Sequence, residues 1–299
     1  MYSKELSYSN TQSATFYGRT EAKAVAGIAI LMMVWHHLFG FPQWLLPGLS
    51  CNSIFGNSAD VFVRLTASLG NTCIYIYAFS TGYVIYSQFQ LYDTWEKRVT
   101  RIFKFLLSYW LVCVAFYIFG MVFNQPLPTL REAFLNSFGI KTGCGSNWIN
   151  VVFAWYVNYY IVLIAFSSIL YNCFKKYKPL SLIISIIGCC ISIIVLAYAQ
   201  IGYWEPFYAS LLGLLTAKYH FFDKMTIRLK INSAIALFSY GGGIAVIAIF
   251  RFKFLLFMSD LGRTPLVNVT ISLVEGIIAF VFIFCFVNML KTWNSYRLT

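Results

Sequence analysis

Residues 21–40 read EAKAVAGIAILMMVWHHLFG, and the apolar run continues to Leu46. An α-helix needs about 20 mainly apolar residues to cross ~30 Å of hydrocarbon, and this run is long enough. It lies behind a polar leader, residues 1–22, and it is too long for the h-region of a cleaved signal peptide. Residues 24–46 are therefore predicted to form the first membrane span, with the leader in the cytoplasm.

The same criterion finds further candidate spans along the chain. Backbone groups in lipid have no water to bond, so spans of this length must be helices. We expect an all-α integral membrane protein, a polytopic helical bundle of about eight transmembrane helices that forms one domain over residues 1–299. The predicted spans are 24–46, 69–89, 103–123, 149–171, 180–200, 204–222, 231–250 and 266–290. Longer outer loops are expected near 47–68 and 124–148, and a cytoplasmic tail at 291–299.

The composition supports a membrane protein. Hydrophobic residues make up 60% of the chain and charged residues only 11%, whereas soluble domains carry about 25% charged residues. This excludes a water-soluble enzyme, a disordered tail protein and a nucleic-acid binder. The net charge of +12 is explained by basic cytoplasmic loops. With the N-terminus inside, most of the 22 Lys and Arg residues fall on the cytoplasmic side, which predicts an N-in, C-in topology.

His36 and His37 lie in the outer half of the first span. Ionisable side chains within a bilayer are costly, so the pair is a candidate catalytic site. The alternative is an interfacial histidine that is hydrogen-bonded to a carbonyl. At about 100° per residue, Lys23 and His37 are about 40° apart on the helix, whereas Lys23 and His36 are about 140° apart. His37 therefore shares its face with the cation at the start of the helix, whereas His36 does not.

A second group of candidates lies where the third span begins. Arg98 and Arg101 are three residues apart and share one helical face, with Lys97 and Lys104 beside them. The simplest interpretation is a positive-inside anchor. The alternative is a clamp for phosphates, because each guanidinium offers a planar fork of donors.

Weaker candidates for binding an acceptor lie in the later spans and outer loops. Aromatic residues near an interface usually form a belt, and a carboxylate within a span needs a partner or a proton. Arg251 is interpreted first as a charge of an outer loop. None of the eight cysteines has metal-ligand spacing with a histidine, so no metal site is expected. The candidates in this group are Trp155, Tyr156, Asn158, Glu205 and Glu275.

Five segments together resemble the acyltransferase 3 family of bacterial membrane acyltransferases, in particular the branch that modifies surface polysaccharides. The most specific combination is the His-His span followed by Arg-x-x-Arg. The segments are AGIAILMMVWHHLFG (26–40), YAFSTGYVIY (77–86), KRVTRIFKFLLSYW (97–110), AWYVNYYIVL (154–163) and, more weakly, YASLLGLLTAKY (208–219).

The resemblance implies an acyltransferase of the bacterial inner membrane. Acetyl-CoA would be the cytoplasmic donor and co-substrate, with a hydroxyl of a surface or lipid-linked polysaccharide as acceptor. His37 matches the family's membrane histidine, and Arg98 and Arg101 match its cytoplasmic arginine pair, with Lys97 and Lys23 as further donor contacts. Membrane lipids and other proteins of polysaccharide assembly are the expected partners. His37 is then predicted to be the general base for the acceptor hydroxyl, with His36 orienting the glycan or packing. The hydroxyl either attacks the thioester directly or receives the acetyl group from an acyl-histidine.

Two features depart from the family. The family usually has Arg or Lys eleven residues before its histidine, where this chain has Ala26. Lys23 is one turn earlier, about 60° away around the helix, and its long stem is a candidate substitute. Members also commonly have about ten spans, so this chain is expected to be a short member or one that has lost its C-terminal end. The rival interpretations are a transporter or flippase for a sugar or lipid-linked precursor, and an inactive family member.

Overall fold

The computed structural model describes residues 16–39, 60–122, 128–139, 154–176, 205–225, 233–262 and 264–297. Regular structure within these ranges is helical, with no strand. One short 3₁₀ helix covers Phe89–Leu91. The α-helices are α1 (Arg19–Phe39), α2 (Asp60–Gly70), α3 (Cys73–Ser87), α4 (Trp95–Val122), α5 (Leu130–Ser137), α6 (Ala154–Ala165), α7 (Ser167–Lys176), α8 (Phe207–Tyr219), α9 (Phe221–Met225), α10 (Ser233–Asp260) and α11 (Pro265–Arg297).

Four of these helices are long and apolar enough to cross a membrane on their own: Arg19–Phe39, Trp95–Val122, Ala234–Asp260 and Pro265–Asn294. The pair α6–α7, bent by 54° between its halves, makes a fifth if it counts as one span. The prediction of a helical membrane protein is therefore confirmed, whereas the described residues support four or five full spans rather than eight. The predicted span 180–200 lies outside the described residues.

Two predicted spans are shorter in the structure than expected, and two predicted outer loops contain helix. The segments predicted at 69–89 and 204–222 contain α3 and α8, of 15 and 13 residues. Helix α2 occupies the end of the predicted loop 47–68, and α5 lies within the predicted loop 124–148. Helix α5 begins with a capping box, in which the Thr129 hydroxyl accepts from the Glu132 N–H and the Glu132 carboxylate accepts from the Thr129 N–H.

The chain divides into two compact units, residues 1–83 with 206–299, and residues 84–205. In the first unit, α1 packs on α2, α2 on α10, α10 on α11 and α8 on α11. In the second, α4 packs on α6 and α5, and α6 on α7. The predicted single domain covering residues 1–299 remains a prediction.

Two glycines let α3 and α8 approach closely in the first unit. A Cβ on Gly82 would overlap the carbonyl oxygen of Ser210, and one on Gly213 would overlap that of Phe79. The Ser210 hydroxyl also donates to the Ala78 carbonyl at 2.8 Å. Small residues at such a crossing allow the two backbones to meet, which is the usual way helices pack tightly in membranes.

The end of the predicted leader is packed against the rest of the first unit. Phe16 and Tyr17 are buried, and the Phe16 N–H donates to the Asp223 carboxylate at 2.9 Å. The Tyr17 hydroxyl lies 2.8 Å from the hydroxyl of Ser80. Phe16 also lies against Phe222, which is itself 1% exposed. Residues 16 and 17 are thus part of the fold of this unit.

Candidate functional site

The carboxyl end of α2 accepts hydrogen bonds from two other helices. The last four carbonyls of an α-helix have no partner within the helix, and they carry the negative end of its dipole. His36 on α1 places its Nδ1 2.7 Å from the Ala67 carbonyl oxygen. Arg251 on α10 donates from Nη1 to the carbonyl of Ser68 and, at 2.7 Å, to the Ser68 hydroxyl. An imidazole and a guanidinium therefore cap adjacent carbonyls.

Arg251 is also paired with a carboxylate. Its Nη2 lies 2.6 Å from Glu275 Oε1 and its Nε donates to Glu275 Oε2 at 3.0 Å, with the two side chains 1% and 2% exposed. The Thr72 hydroxyl donates to the same Oε2 at 3.3 Å. A charge as deeply buried as this requires an opposite charge and further hydrogen bonds, and both are present. We call His36, Ala67, Ser68, Thr72, Arg251 and Glu275 the helix-end cluster.

The location of Arg251 corrects a prediction. The apolar pattern predicts a span that ends at residue 250, with Arg251 in an outer loop. Helix α10 instead continues to Asp260, because the apolar residues FLLFM (254–258) extend the helix beyond the arginine. Arg251 is consequently an interior residue, and Glu275, a candidate for acceptor binding, has this arginine as its ionic partner.

Close contact between α1 and α2 brings His36 to this end of α2. Gly70 closes α2, and a Cβ there would overlap the Met32 carbonyl and lie 2.8 Å from the Cβ of His36. Along α1 the buried residues are Val25 and Ala29. His36 is about 20° from Val25 around the helix, since eleven residues correspond to about 1100°. His36 therefore lies on the packed face of α1, towards the carboxyl end of that helix.

His37 and Lys23 lie away from that packed face. His37 is half-buried, with its ring centroid 5.5 Å from that of His36, and Lys23 is exposed. Lys23 and His37 share one face of α1, as any helix of this length would require. That shared face is more exposed to solvent or lipid than the packed face. At Ala26, where the family carries a cation, the backbone carbonyl accepts from the Tyr77 hydroxyl at 3.1 Å.

A cationic cavity of about 670 Å³ lies in the second unit, beside the start of α4. Three of its side chains are cations and one is a carboxylate, so the cavity is positively charged overall. Phe105 and Tyr160 contribute aromatic surface. The lining residues are Leu91, Glu96, Lys97, Thr100, Arg101, Lys104, Phe105 and Tyr160.

The two predicted arginines have different surroundings. Arg101 lines the cavity, and it is held there by Tyr92: Nη1 donates to the Tyr92 hydroxyl at 3.1 Å, and the guanidinium lies 4.4 Å from the ring centroid. Arg98 instead donates from Nη1 to the Ala165 carbonyl at 3.2 Å, at the end of α6 where the chain bends into α7. Arg98 is not among the residues that line the cavity. The two arginines share a face of α4 but only Arg101 lines the cavity, and their action as one clamp stays a prediction.

The electrostatics of the cavity rim are set by local pairs. The Lys97 ammonium donates to the Asp93 carboxylate at 2.8 Å, and this hydrogen bond holds the pKa of Asp93 below its usual range. Burial raises the pKa of Tyr92, so its hydroxyl stays protonated next to Arg101. Lys97 thus has an exposed partner already, whereas Arg101 is oriented by a neutral ring.

The remaining predicted site residues lie in or next to the second unit. Tyr156 and Asn158 are half-buried on α6, with the Tyr156 ring centroid 5.7 Å from that of Tyr159. Trp155 is on the same helix, and Glu205 is in the turn before α8. Within the described ranges no group of three His, Cys, Asp or Glu side chains is placed to hold a metal ion. The four cysteines described, Cys73, Cys113, Cys173 and Cys285, are not in disulfides.

Sequence reasoning missed Ser68, Thr72 and the role of Arg251. A usable signal existed, because α10 carries Arg251 and Lys253 far from its ends and α11 carries Glu275. Opposite charges in two consecutive apolar helices predict a buried pair. Ser68 falls in the predicted outer loop 47–68 and Thr72 in the predicted span 69–89, and neither carries a charge that would mark it as a partner.

The apolar helices of spanning length define a helical membrane protein, with a buried ion pair in the first unit and a cationic cavity in the second. A family model described as an acyltransferase domain (Acyl_transf_3) matches residues 24–299. The chain therefore belongs to the acyltransferase 3 family, and the resemblance inferred from its motifs is confirmed. No curated protein and no solved structure matches the chain.

Proposed function

We propose that this protein is an acetyl-CoA-dependent O-acetyltransferase of the bacterial inner membrane. It would transfer the acetyl group to a hydroxyl of a surface or lipid-linked polysaccharide. Membership of the acyltransferase 3 family supports acyl transfer, and the cationic cavity is the observation that supports the donor. We further propose a multi-pass topology with both termini in the cytoplasm, which places the start of α4 on the side where acetyl-CoA is made.

The donor proposal follows from the chemistry of the cavity. Coenzyme A carries phosphates, which Lys and Arg bind through charge-assisted hydrogen bonds, and a purine, which stacks on aromatic side chains. Arg101, Lys97 and Lys104 supply the cations, and Phe105 and Tyr160 supply aromatic surface. A volume of about 670 Å³ lies within the usual range for small-molecule sites. A flexible pantetheine arm would carry the thioester from there to the acceptor.

The chemical step requires a base for the acceptor hydroxyl, and one imidazole of His36 and His37 is proposed for it. A neutral imidazole takes the hydroxyl proton while the oxygen attacks the thioester carbon. The tetrahedral intermediate then expels the coenzyme A thiolate, which takes the proton from the imidazolium and leaves as the thiol. The products are an ester and CoA. Transfer through an acyl-histidine gives the same products in two steps.

The activity is testable in membranes that contain the chain. They would be incubated with acetyl-CoA labelled in the acetyl group and with surface polysaccharide that has been de-esterified by mild alkali. We expect label to enter the polysaccharide, to be released again by mild alkali, and to depend on the chain. Alkali-stable label would identify N-acylation instead. In a parallel assay with a labelled sugar precursor, accumulation of that sugar across the membrane without CoA release would favour the transporter. Neither activity in a folded protein would favour the inactive member.

Removing cations from the cavity is expected to weaken donor binding. The variant Arg101→Met should raise the KM for acetyl-CoA about 10- to 100-fold, the loss of a charged hydrogen bond worth roughly 1.5–3 kcal/mol. The KM for the polysaccharide should stay the same. Donor titrations at saturating acceptor measure the first effect, and acceptor titrations measure the second.

Arg131→Met is the matched control for this experiment, because Arg131 is an exposed arginine on α5 and does not line the cavity. Arg98→Met should lower the yield of folded protein, because Arg98 holds the end of α6. Its effect on the donor KM should be smaller than that of Arg101→Met. An unchanged donor KM in Arg101→Met would rule out this cavity as the donor site.

A further inference from the structure

The proposed function gives no role to the buried ion pair of Arg251 and Glu275 in the helix-end cluster. Arg251 and Glu275 are almost fully buried, and they hold the same end of α2 that His36 contacts. A buried ion pair is weak evidence for stability, since well-packed apolar residues often replace such pairs without loss. The arrangement around the histidine therefore suggests a role beyond holding the helices together.

The contact of His36 fixes where its proton lies. A carbonyl oxygen only accepts, so Nδ1 at 2.7 Å from the Ala67 oxygen must be the nitrogen that carries hydrogen. In the neutral ring the other nitrogen, Nε2, is then the basic one. This is the arrangement a general base needs, because its orientation and tautomer are set before the substrate arrives.

The residue that follows Ala67 is held in place by side chains of other helices. Ser68, the next residue, is bound through both its carbonyl and its hydroxyl by Arg251. Arg251 is fixed by Glu275, and Glu275 by Thr72, which follows α2 directly. These contacts connect α2, α10 and α11, so the acceptor of the His36 hydrogen bond sits on a rigid support. Misplacement of a reacting group by about 1 Å can cost 10²-fold in rate.

We propose that Arg251 and Glu275 are positioning residues for His36: they hold the end of α2 so that the Ala67 carbonyl keeps the imidazole in its Nδ1–H form, with Nε2 as the base for the acceptor hydroxyl. The proposal rests on the proposed acetyltransferase function. It also selects His36, rather than the His37 favoured by sequence, as the base.

The decisive variant removes both charges at once. Arg251→Met with Glu275→Leu leaves no unpaired buried charge, so the thermal midpoint in detergent should stay close to that of the original chain. We expect kcat to fall about 10- to 100-fold, with the KM for acetyl-CoA unchanged. A purely structural pair would give a normal kcat once the variant is folded.

A spectroscopic measurement tests the tautomer without activity. The chain has three histidines, so ¹⁵N-histidine labelling gives few signals, and His37→Gln and His220→Gln variants assign them. We expect His36 to show a protonated Nδ1 and an unprotonated Nε2 in the neutral ring, and to lose that preference in the double variant. Lys253→Met is the matched control, because Lys253 is an exposed cation on α10, two residues after Arg251, and is not part of the helix-end cluster. It should retain both kcat and the tautomer.

The outcomes separate this inference from the proposed function. If the original chain transfers acetyl groups, and the double variant keeps its kcat and the His36 tautomer, the positioning role is wrong and the function stands. Loss of activity in His37→Ala with full activity in His36→Ala would also overturn the inference alone. If the original, folded chain transfers no acetyl group to the polysaccharide, the function fails, and an unaltered His36 tautomer in the double variant would reject the positioning role as well.

Discussion

Replacing both membrane histidines with alanine is expected to lower kcat for acetyl transfer by about 10²–10⁴-fold, the usual contribution of a positioned general base. The donor KM should be unchanged, because the cationic cavity is formed by other residues. The variant should insert and fold, since His36 and His37 are half-buried and alanine is a good helix former. CoA release at saturating acetyl-CoA and polysaccharide measures the effect, and thermal unfolding in detergent checks the fold.

His220 provides the control for this experiment. It is the third histidine of the chain, it is exposed after α8, and its Nδ1 lies 3.3 Å from the Asp223 carboxylate. His220→Ala should keep kcat within about twofold, as expected of a surface substitution away from the site. Normal transfer by the His36→Ala/His37→Ala protein would show that no membrane histidine takes the hydroxyl proton.

The largest effect on folding is expected at the crossing of α3 and α8. Gly82→Val and Gly213→Val each place atoms where the facing helix has a backbone carbonyl, and a backbone cannot move aside as a side chain can. Overpacking usually costs about 1–3 kcal/mol and more when no relief exists, so we expect little folded protein from either variant. The recovery of monodisperse protein after extraction measures this.

Gly242 allows the matched comparison, because it also lies within a helix and a Cβ there meets nothing within 4 Å. Gly242→Val should therefore yield protein normally, with any change limited to helix propensity, below about 1 kcal/mol. Normal yield from Gly82→Val would mean that α3 and α8 do not approach as closely as described.

The sequence predicted the class of protein and the family because both depend on local patterns. Apolar runs of spanning length identify membrane helices one at a time, and α1, α4, α10 and α11 are found near their predicted positions. Motifs such as HH at 36–37 and RVTR at 98–101 are likewise contiguous in the chain. Short helices such as α2 lack a spanning-length signal, so the sequence analysis assigned that segment to a loop.

The tertiary part of the site could not be predicted in the same way. Which of the two histidines contacts α2 depends on which face of α1 meets α2. Gly70, on α2, allows the close approach of the face that carries His36. Likewise, Arg98 and Arg101 share a face, but the carbonyl of Ala165 binds one and the ring of Tyr92 orients the other. Those partners are 67 and 9 residues away in the chain.

The pairing of Arg251 with Glu275 has a consequence for biogenesis. An arginine at the centre of a membrane helix costs about 2.5–3.5 kcal/mol on insertion through a translocon, and Arg251 lies well inside α10. The two helices are joined by a connection of a few residues, 261–264, so they can enter the bilayer together as a hairpin in which Glu275 neutralises Arg251. Before α11 is made, Arg251 has no carboxylate to pair with, so α10 is expected to insert less readily alone than together with α11.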